Sequence, residues 1–118
     1  MARVFLLNPQ GPRRRGFTRE GRCTQAAGVW ATPWPPLTLA TAAAFLLREG
    51  HEVRVWDGAV SSPGRPFIEP ELEAFHPDLV VWSTGTPTLG HDLSVGREIK
   101  RLLPGAFTAV LGTHVTAR

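Results

Sequence analysis

Apolar residues along the chain follow two spacings, one typical of helices and one typical of buried strands. Both occur in succession within residues 35–58 (PPLTLATAAAFLLREGHEVRVWDG). Apolar positions at i, i+4, i+7 and i+8 predict the buried face of a helix over residues 36–49, with prolines at its start and Gly50 as its stop. The residues of that face are Leu39, Ala43, Leu46 and Leu47. Residues 52–56 then alternate, which predicts a short strand.

Three further runs have the length of strands. Residues 3–7 (RVFLL) and 78–83 (DLVVWS) are almost continuously apolar, which is typical of central strands that are buried on both faces. Residues 107–111 form the fourth predicted strand. A short helix is predicted over residues 69–75 and a longer one over residues 89–103. The inner side of the longer helix is predicted at Leu89, Leu93, Ile99 and Leu103.

Strands that alternate with connections of helix length predict right-handed crossovers and a parallel sheet. We therefore predict an α/β fold, a flavodoxin-like (Rossmann-like) doubly wound sheet whose usual strand order is 2-1-3-4-5. Only four of those five strands are found in residues 1–118, which we interpret as a single domain. The chain is then the N-terminal fragment of a longer protein, or another chain or domain covers the open edge of the fourth strand.

The net charge of +3 is concentrated in one segment of the chain. Residues 9–35 are rich in glycine and proline and predict a long loop, either functional or mobile. The loop carries a cluster of five arginines: Arg13, Arg14, Arg15, Arg19 and Arg22. Such a cluster could meet phosphates or an acidic partner surface, but it is most often a solvated loop face. Nucleic-acid binding is therefore not expected.

Several classes of protein are disfavoured by what the chain lacks. No apolar run approaches the roughly 20 residues that span a bilayer, and no signal peptide is evident, so we expect a cytoplasmic protein without membrane attachment. The single cysteine, Cys23, excludes an internal disulfide and a cysteine-only metal or iron–sulfur site. The phosphate-binding and nucleophile-elbow motifs are also missing. Ser83 stands where a receiver domain would need its phospho-acceptor aspartate.

Small and polar residues follow three of the predicted strands. Because the carboxyl ends of parallel strands meet at one edge of an open α/β sheet, these residues predict a binding site there. Hydroxyl groups and glycines would let a ligand approach the backbone closely. The predicted site residues are Asn8, Pro9, Gln10, Ser83, Thr84, Gly85, Thr86, Gly112, Thr113 and His114. Such residues are common in any loop of this kind, so each one alone is weak support.

In their order and spacing, these segments resemble the N-terminal cobalamin-binding domain of B12-dependent radical SAM proteins. NPQ after the opening strand resembles the family's strand-then-Asn-Pro start, and PPLTLATAAAFLLREGHEVRVWDG resembles its proline-leucine helix and Gly-His-x-Val strand. PDLVVWSTGTPT is similar to its third strand and Ser/Thr loop, and LGTHVTAR to its Gly-Gly-x-His-x-Thr segment. The resemblance runs nearly end to end.

The resemblance implies a cobalamin whose corrin ring lies over the carboxyl ends of the strands, with its dimethylbenzimidazole tail inserted beside them. Residues 83–86 and 112–114 would line the tail and the corrin edge, and residues 8–10 would face the lower side of the corrin. One departure is Thr113, which stands where many members have a second glycine and would restrict close approach to the backbone.

A second departure concerns the axial histidine of cobalt in some cobalamin proteins. The Asp-x-His-x-x-G motif that supplies this histidine is missing, because the first histidine after strand one is His51. We therefore expect base-off cobalamin without a protein histidine ligand. His51, His76 and His91 are interpreted as surface or helix-terminal residues.

The resemblance also implies partners that this chain does not contain. Radical SAM chemistry needs a C-x3-C-x2-C motif for its [4Fe-4S] cluster, so S-adenosylmethionine and the cluster would belong to a missing C-terminal radical SAM domain. Whether the protein is an enzyme stays open: this chain alone would bind the cofactor, and the parent protein would use it for methyl transfer or another radical reaction. The alternative is a ligand-free α/β interaction or regulatory domain that presents its basic arginine loop to a partner.

Overall fold

The structure, a computed structural model, describes residues 1–12, 15–20, 23–26, 35–59 and 68–116. In chain order the elements are β1 (Arg3–Asn8), β2 (Phe17–Glu20), β3 (Cys23–Ala26), α1 (Leu37–Arg48), β4 (Glu52–Asp57), α2 (Glu69–Phe75), β5 (Leu79–Ser83), a 3-10 turn (Thr86–Thr88), α3 (Leu89–Leu102), β6 (Phe107–Leu111) and α4 (Thr113–Thr116). No helix among these residues is both long enough and apolar enough to cross a bilayer.

Four strands form one parallel sheet in the order β4-β1-β5-β6. β1 lies in the middle, where Leu6 is in register with Val55 of β4 and with Val81 of β5. This is the first-strand-central order of a doubly wound α/β sheet, so the predicted fold class and strand order are confirmed. The predicted strand and helix bounds agree with the observed ones to within a residue or two at each end.

The two faces of the sheet bury separate apolar clusters. Side chains alternate along a strand, so Phe5 and Leu7 of β1 face one way and Val4 and Leu6 face the other. The first pair packs with apolar residues of α2 and α3, and the second pair packs with α1. The sheet is therefore covered by helices on both sides.

The helix periodicities predicted the correct elements but placed one residue of α1 and one residue of α3 on the wrong side. In α1 Leu39 and Ala43 are buried as predicted, whereas Leu47 is 57% exposed. In α3 Ile99 is buried as predicted, whereas Leu93 is 43% exposed. Asp92 is buried in its place, because this carboxylate is drawn inward by a cation from another element, described below.

The prediction of a long loop over residues 9–35 is wrong for part of its length, because two short strands lie within it. β2 and β3 pair antiparallel as a hairpin, with Phe17 opposite Ala26 and Glu20 opposite Cys23. Each strand is only four residues long, and a two-stranded hairpin is marginal by itself in water, so its packing against the body of the domain must hold it. Arg13, Arg14 and Arg22 of the predicted cluster lie outside the described residues.

Candidate functional site

The loops after β5 and β6 touch backbone to backbone at the carboxyl edge of the sheet. The Thr84 N–H donates to the Leu111 carbonyl at 2.9 Å. Gly112 has φ +155°, and a Cβ at this position would lie 2.3 Å from the Thr84 carbonyl oxygen. Only glycine fits this contact and this backbone conformation. Gly112 therefore allows the backbones of the two loops to pack directly against each other.

The outer rim of these loops carries polar groups. Thr86 is exposed, and its Oγ1 lies 3.1 Å from Nδ1 of the half-buried His114. Gly85, beside Thr86, is buried and extended, and it leads into the 3-10 turn before α3. We call Gly85, Thr86, Gly112 and His114 the β5–β6 mouth. The side chain of Thr113 lies outside the described part of the chain.

A buried ion pair lies behind this mouth. The Arg19 guanidinium contacts the Asp92 carboxylate at two points: Nε donates to Oδ2 at 3.0 Å and Nη2 donates to Oδ1 at 2.8 Å. Both side chains are fully buried, at 0% exposure. Asp92 Oδ2 also accepts the hydroxyls of Thr84 and Thr88, at 2.8 and 2.7 Å. The carboxylate thus has four donors, the number that it needs once it leaves water.

Asn8 joins the same network from the end of β1. Its amide donates to the Phe17 carbonyl and to Asp57 Oδ1, both at 2.8 Å. Its Oδ1 accepts from Arg19 Nη1 at 2.9 Å, and Nη1 also donates to the Pro9 carbonyl. Asn8 is 2% exposed. Its side-chain polar atoms therefore form hydrogen bonds inside the protein.

Burial changes the acid–base balance of Arg19. Desolvation lowers the pKa of this guanidinium, and the nearby Asp92 carboxylate opposes that shift by attraction and by hydrogen bonding. An arginine keeps its proton in such a site, because its ordinary pKa lies far above neutrality. The solvated-face interpretation of the arginine cluster is thus wrong for Arg19, while Arg15 is exposed as expected.

The neighbour of Arg19 anchors the hairpin on the other side. Glu20 accepts the Thr38 backbone N–H at 2.5 Å through Oε1 and the Thr38 hydroxyl at 3.0 Å through Oε2. Thr38 is in the first turn of α1, and the residue before that helix, Pro36, offers no side-chain cap. Glu20 therefore supplies an acceptor and a negative charge at the positive end of the helix.

The histidines divide between the two edges of the sheet. His51 Nδ1 accepts the Ala2 N–H at 2.9 Å, and His76 is the left-handed C-cap of α2, so both lie at the amino-terminal edge. His91 Nε2 lies 3.0 Å from the Gln10 carbonyl oxygen at the carboxyl edge, which it shares with His114. Across the described ranges, no three His, Cys, Asp or Glu residues are grouped so that they could hold a metal ion.

The structure thus sorts the predicted site residues into two groups. Gly85, Thr86, Gly112 and His114 come together at the β5–β6 mouth. The others are engaged further inside or at the rim of β1: Asn8, Pro9 and Thr84 belong to the Arg19 network, Ser83 is 4% exposed, and Gln10 contacts His91. Their direct contact with a ligand stays a prediction.

Five residues of this region were missed by sequence reasoning: Arg19, Glu20, Asp57, Thr88 and Asp92. An aspartate in the first turn of a predicted helix is expected on the surface, so no pattern indicated that Asp92 is buried. The partners are also far apart in sequence, since Asp92 follows Arg19 by 73 positions. Only the presence of both charges in the chain could have suggested the pair.

Comparison with known families identifies the family of this chain. The family model of the B12 binding domain matches residues 25–118, most of the chain. The chain belongs to the B12-binding domain family. This membership supports cobalamin as its ligand. No curated protein matches the chain, and no solved structure matches it either.

The matched range of this B12-binding domain begins within β3, so β1 and Arg19 precede it. The two halves of the carboxyl edge differ in the residues they present, and the β5–β6 half carries the polar groups Thr86 and His114 on its rim. Gly112 is required there by the chain itself, because the Thr84 carbonyl oxygen lies where a side chain would begin. At the β1 half the network of Asn8 and Arg19 fills the space with paired groups.

Proposed function

We propose that this chain binds cobalamin base-off over the carboxyl ends of β5 and β6, without a histidine of this chain on cobalt. The chain would serve as the cofactor module of a B12-dependent radical SAM enzyme. Membership of the B12-binding domain family carries the cobalamin part of the proposal. The base-off state and the radical SAM partner rest on the resemblance of the Asn-Pro, Ser/Thr and Gly-x-His segments in this sequence.

The β5–β6 mouth supports the placement of the cofactor. Thr86 and His114 are polar groups on its rim, and the packing of Gly112 against Thr84 holds the two loops of the mouth together. A ligand with a large apolar face and peripheral amides can lie close to such a surface and exchange hydrogen bonds with it. When bound, cobalamin would supply the cobalt at which alkyl groups are held for transfer. This chain's residues would bind and orient the cofactor.

The positions of two of the histidines support a cobalt to which neither of them is a ligand. His51 and His76 lie at the amino-terminal edge of the sheet, across the domain from the mouth. At the carboxyl edge, His91 contacts the Gln10 carbonyl and His114 contacts Thr86. A liganding histidine needs one ring nitrogen free and aimed at the metal while the other is oriented by a partner. His91 and His114 are therefore the two residues to test.

The test is an absorbance titration of the 118-residue protein with aquocobalamin, followed by gel filtration. We expect a base-off spectrum that elutes with the protein. The reduced Co(II) form should show no splitting from a protein nitrogen in its electron paramagnetic resonance spectrum. His91→Ala and His114→Ala should leave that spectrum unchanged. A nitrogen splitting that either substitution removes would overturn the base-off proposal, and an absence of binding would overturn the cofactor role.

A ligand-free interaction domain remains the competing proposal, and the structure weakens one of its supports. Arg19 is buried against Asp92 and is therefore not available to a partner surface. Co-elution of cobalamin with the protein would argue directly against this alternative. An absence of nucleic-acid binding, a cytoplasmic location and a C-terminal radical SAM domain are further expectations that belong to the cobalamin proposal.

A further inference from the structure

The β2–β3 hairpin is tied to both faces of the sheet by consecutive residues. Neighbouring side chains of a strand point in opposite directions. Arg19 reaches Asp92 of α3, and Glu20 reaches the first turn of α1. These two helices pack on opposite faces of the sheet. The hairpin, which we call the strap (Phe17–Glu20 and Cys23–Ala26), therefore lies across the carboxyl edge and is held from both sides.

The strap also packs closely on the carboxyl ends of β1 and β4. A Cβ on Gly11 would lie 2.0 Å from the Phe17 ring, and a Cβ on Gly16 would lie 2.8 Å from the Ala59 carbonyl. The Phe17 carbonyl accepts from Asn8 at the end of β1. Small residues are thus needed where the strap and the sheet edge meet. The carboxyl ends of β1 and β4 are covered by the protein itself.

A chain of contacts leads from the strap to the mouth. Arg19 holds Asp92, Asp92 accepts the Thr84 hydroxyl, and the Thr84 carbonyl packs against Gly112. Thr88, which Asp92 also holds, ends the 3-10 turn that follows Gly85. A shift of the guanidinium would therefore move both sides of the loop on which the mouth is built.

We propose that the strap is a positioning element of the cobalamin site: it confines the cofactor to the β5–β6 mouth, and Arg19 sets the shape of that mouth through Asp92 and Thr84. This inference rests on the proposed function. Arg19 is a positioning residue, because its guanidinium is fully buried and has no surface to offer the cofactor. Asn8 has the same role, since its side-chain amide is hydrogen-bonded to Phe17, Asp57 and Arg19.

Two variants release the strap by different routes. Arg19→Met with Asp92→Asn removes the buried charges together and keeps similar volumes, so that no unpaired charge is left inside. Glu20→Ala releases the strap from α1 at an exposed position, where the fold is not at risk. Glu20→Gln keeps an acceptor for Thr38 and is the conservative counterpart. The matched control is Arg101→Met with Glu98→Gln, an ion pair on the outer face of α3.

Hydroxocobalamin affinity is measured by absorbance titration, and amide hydrogen exchange is measured in residues 17–20 and 84–86. We expect both strap variants to exchange faster in these segments and to bind hydroxocobalamin roughly tenfold more weakly. A loss of this size is typical when residues that orient the ligands of a metal are substituted. Glu20→Gln and the control pair should bind like the unmodified protein. Should the neutral pair fail to fold, Glu20→Ala decides the outcome.

Faster exchange with unchanged affinity would make the strap a purely structural feature and overturn the inference. Unchanged exchange and unchanged affinity in folded variants would overturn it as well. A failure of the unmodified protein to bind hydroxocobalamin would instead refute the proposed function. The two failures are therefore distinguishable in one set of titrations.

Discussion

Asp92 is the most demanding residue of the domain, because its charge is completely buried. Two nitrogens of Arg19 and the hydroxyls of Thr84 and Thr88 satisfy its two oxygens. A buried ion pair of this kind adds little net stability, since the desolvation of two charges offsets their attraction. Removal of one partner has a much larger effect, because the other charge is then left unpaired in the interior.

We predict that Arg19→Met lowers the free energy of unfolding by about 3–5 kcal/mol, the range typical of a broken buried pair. The free energy of unfolding of the whole domain is expected to be only about 5–15 kcal/mol. This single change would therefore remove a large fraction of its stability. Arg19→Met combined with Asp92→Asn should cost clearly less, because no charge is left unpaired. Urea unfolding at constant m-value measures both. Equal losses in the single and double variants would contradict the prediction.

Gly112 offers a second test at a single position. Its φ is +155°, and a Cβ added there would lie 2.3 Å from the Thr84 carbonyl oxygen, so there is no room for a side chain. We predict that Gly112→Ala costs about 1–3 kcal/mol, the usual penalty for a residue forced into such a conformation. Gly90→Ala is the control, because nothing lies within 4 Å of its Cβ position in α3. There alanine should stabilise by up to about 1 kcal/mol. Thermal unfolding that ranks the two variants in the opposite order would refute this.

The strap links local sequence to distant helices. α1 begins after two prolines and has no acidic residue in its first turn, so its free N–H groups depend on an acceptor from elsewhere. Glu20 provides that acceptor from a different element. The strap and α1 therefore stabilise each other, although neither is strong in isolation.

We predict that Glu20→Ala lowers the stability of the domain by about 1 kcal/mol, as the loss of a helix cap does. Glu20→Gln should lose less, because its amide oxygen can still accept from Thr38 while only the favourable charge at the helix end is removed. The difference between the two variants should shrink at high salt, which screens exposed charges. Urea unfolding midpoints at low and high ionic strength measure this difference. A glutamine variant that is as unstable as the alanine variant would count against a hydrogen-bonding role of Glu20.

The elements that could be predicted from sequence are those whose own residues bury a face. α1, α3 and the four sheet strands have enough periodic apolar residues to be recognised, and their order along the chain predicts the sheet. The strap has no such pattern, because its position depends on Arg19 and Glu20 meeting partners far away in sequence. In α3 the buried face consists of Asp92, which pairs with Arg19, together with Val95 and Ile99, while Leu93 is exposed.

The site follows the same division. The topology of the sheet brings the predicted loops to one edge, so their proximity could be predicted from strand order alone. Which side chains face outward could not, because Asn8 and Thr84 are recruited by a buried network that no local pattern indicates. Family membership supports the ligand, and the strap covers the carboxyl ends of β1 and β4.

Across the whole molecule, the sheet has two outer strands, β4 and β6, and within the described ranges neither has a strand partner on its outer side. β6 pairs with β5 on one side, and among the described residues no strand pairs with its other side. Its first three residues are exposed, and Phe107 is 78% exposed. Unpaired strand edges with exposed apolar residues tend to associate with another chain. α1 also presents an exposed aromatic residue, Phe45, which is 62% exposed on a helix without a free backbone edge.

We predict that the 118-residue protein self-associates through the β6 edge as its concentration rises. Phe107→Lys should shift it towards monomer, because a lysine on an edge strand opposes pairing with a second strand. Phe45→Lys is the matched control, since it places the same charge on an exposed phenylalanine of α1 and leaves every strand edge unchanged. Sedimentation velocity over a concentration series measures the effect. Should Phe45→Lys alone abolish association, the contact would lie on α1, and the β6 edge would be protected by its twist and short length.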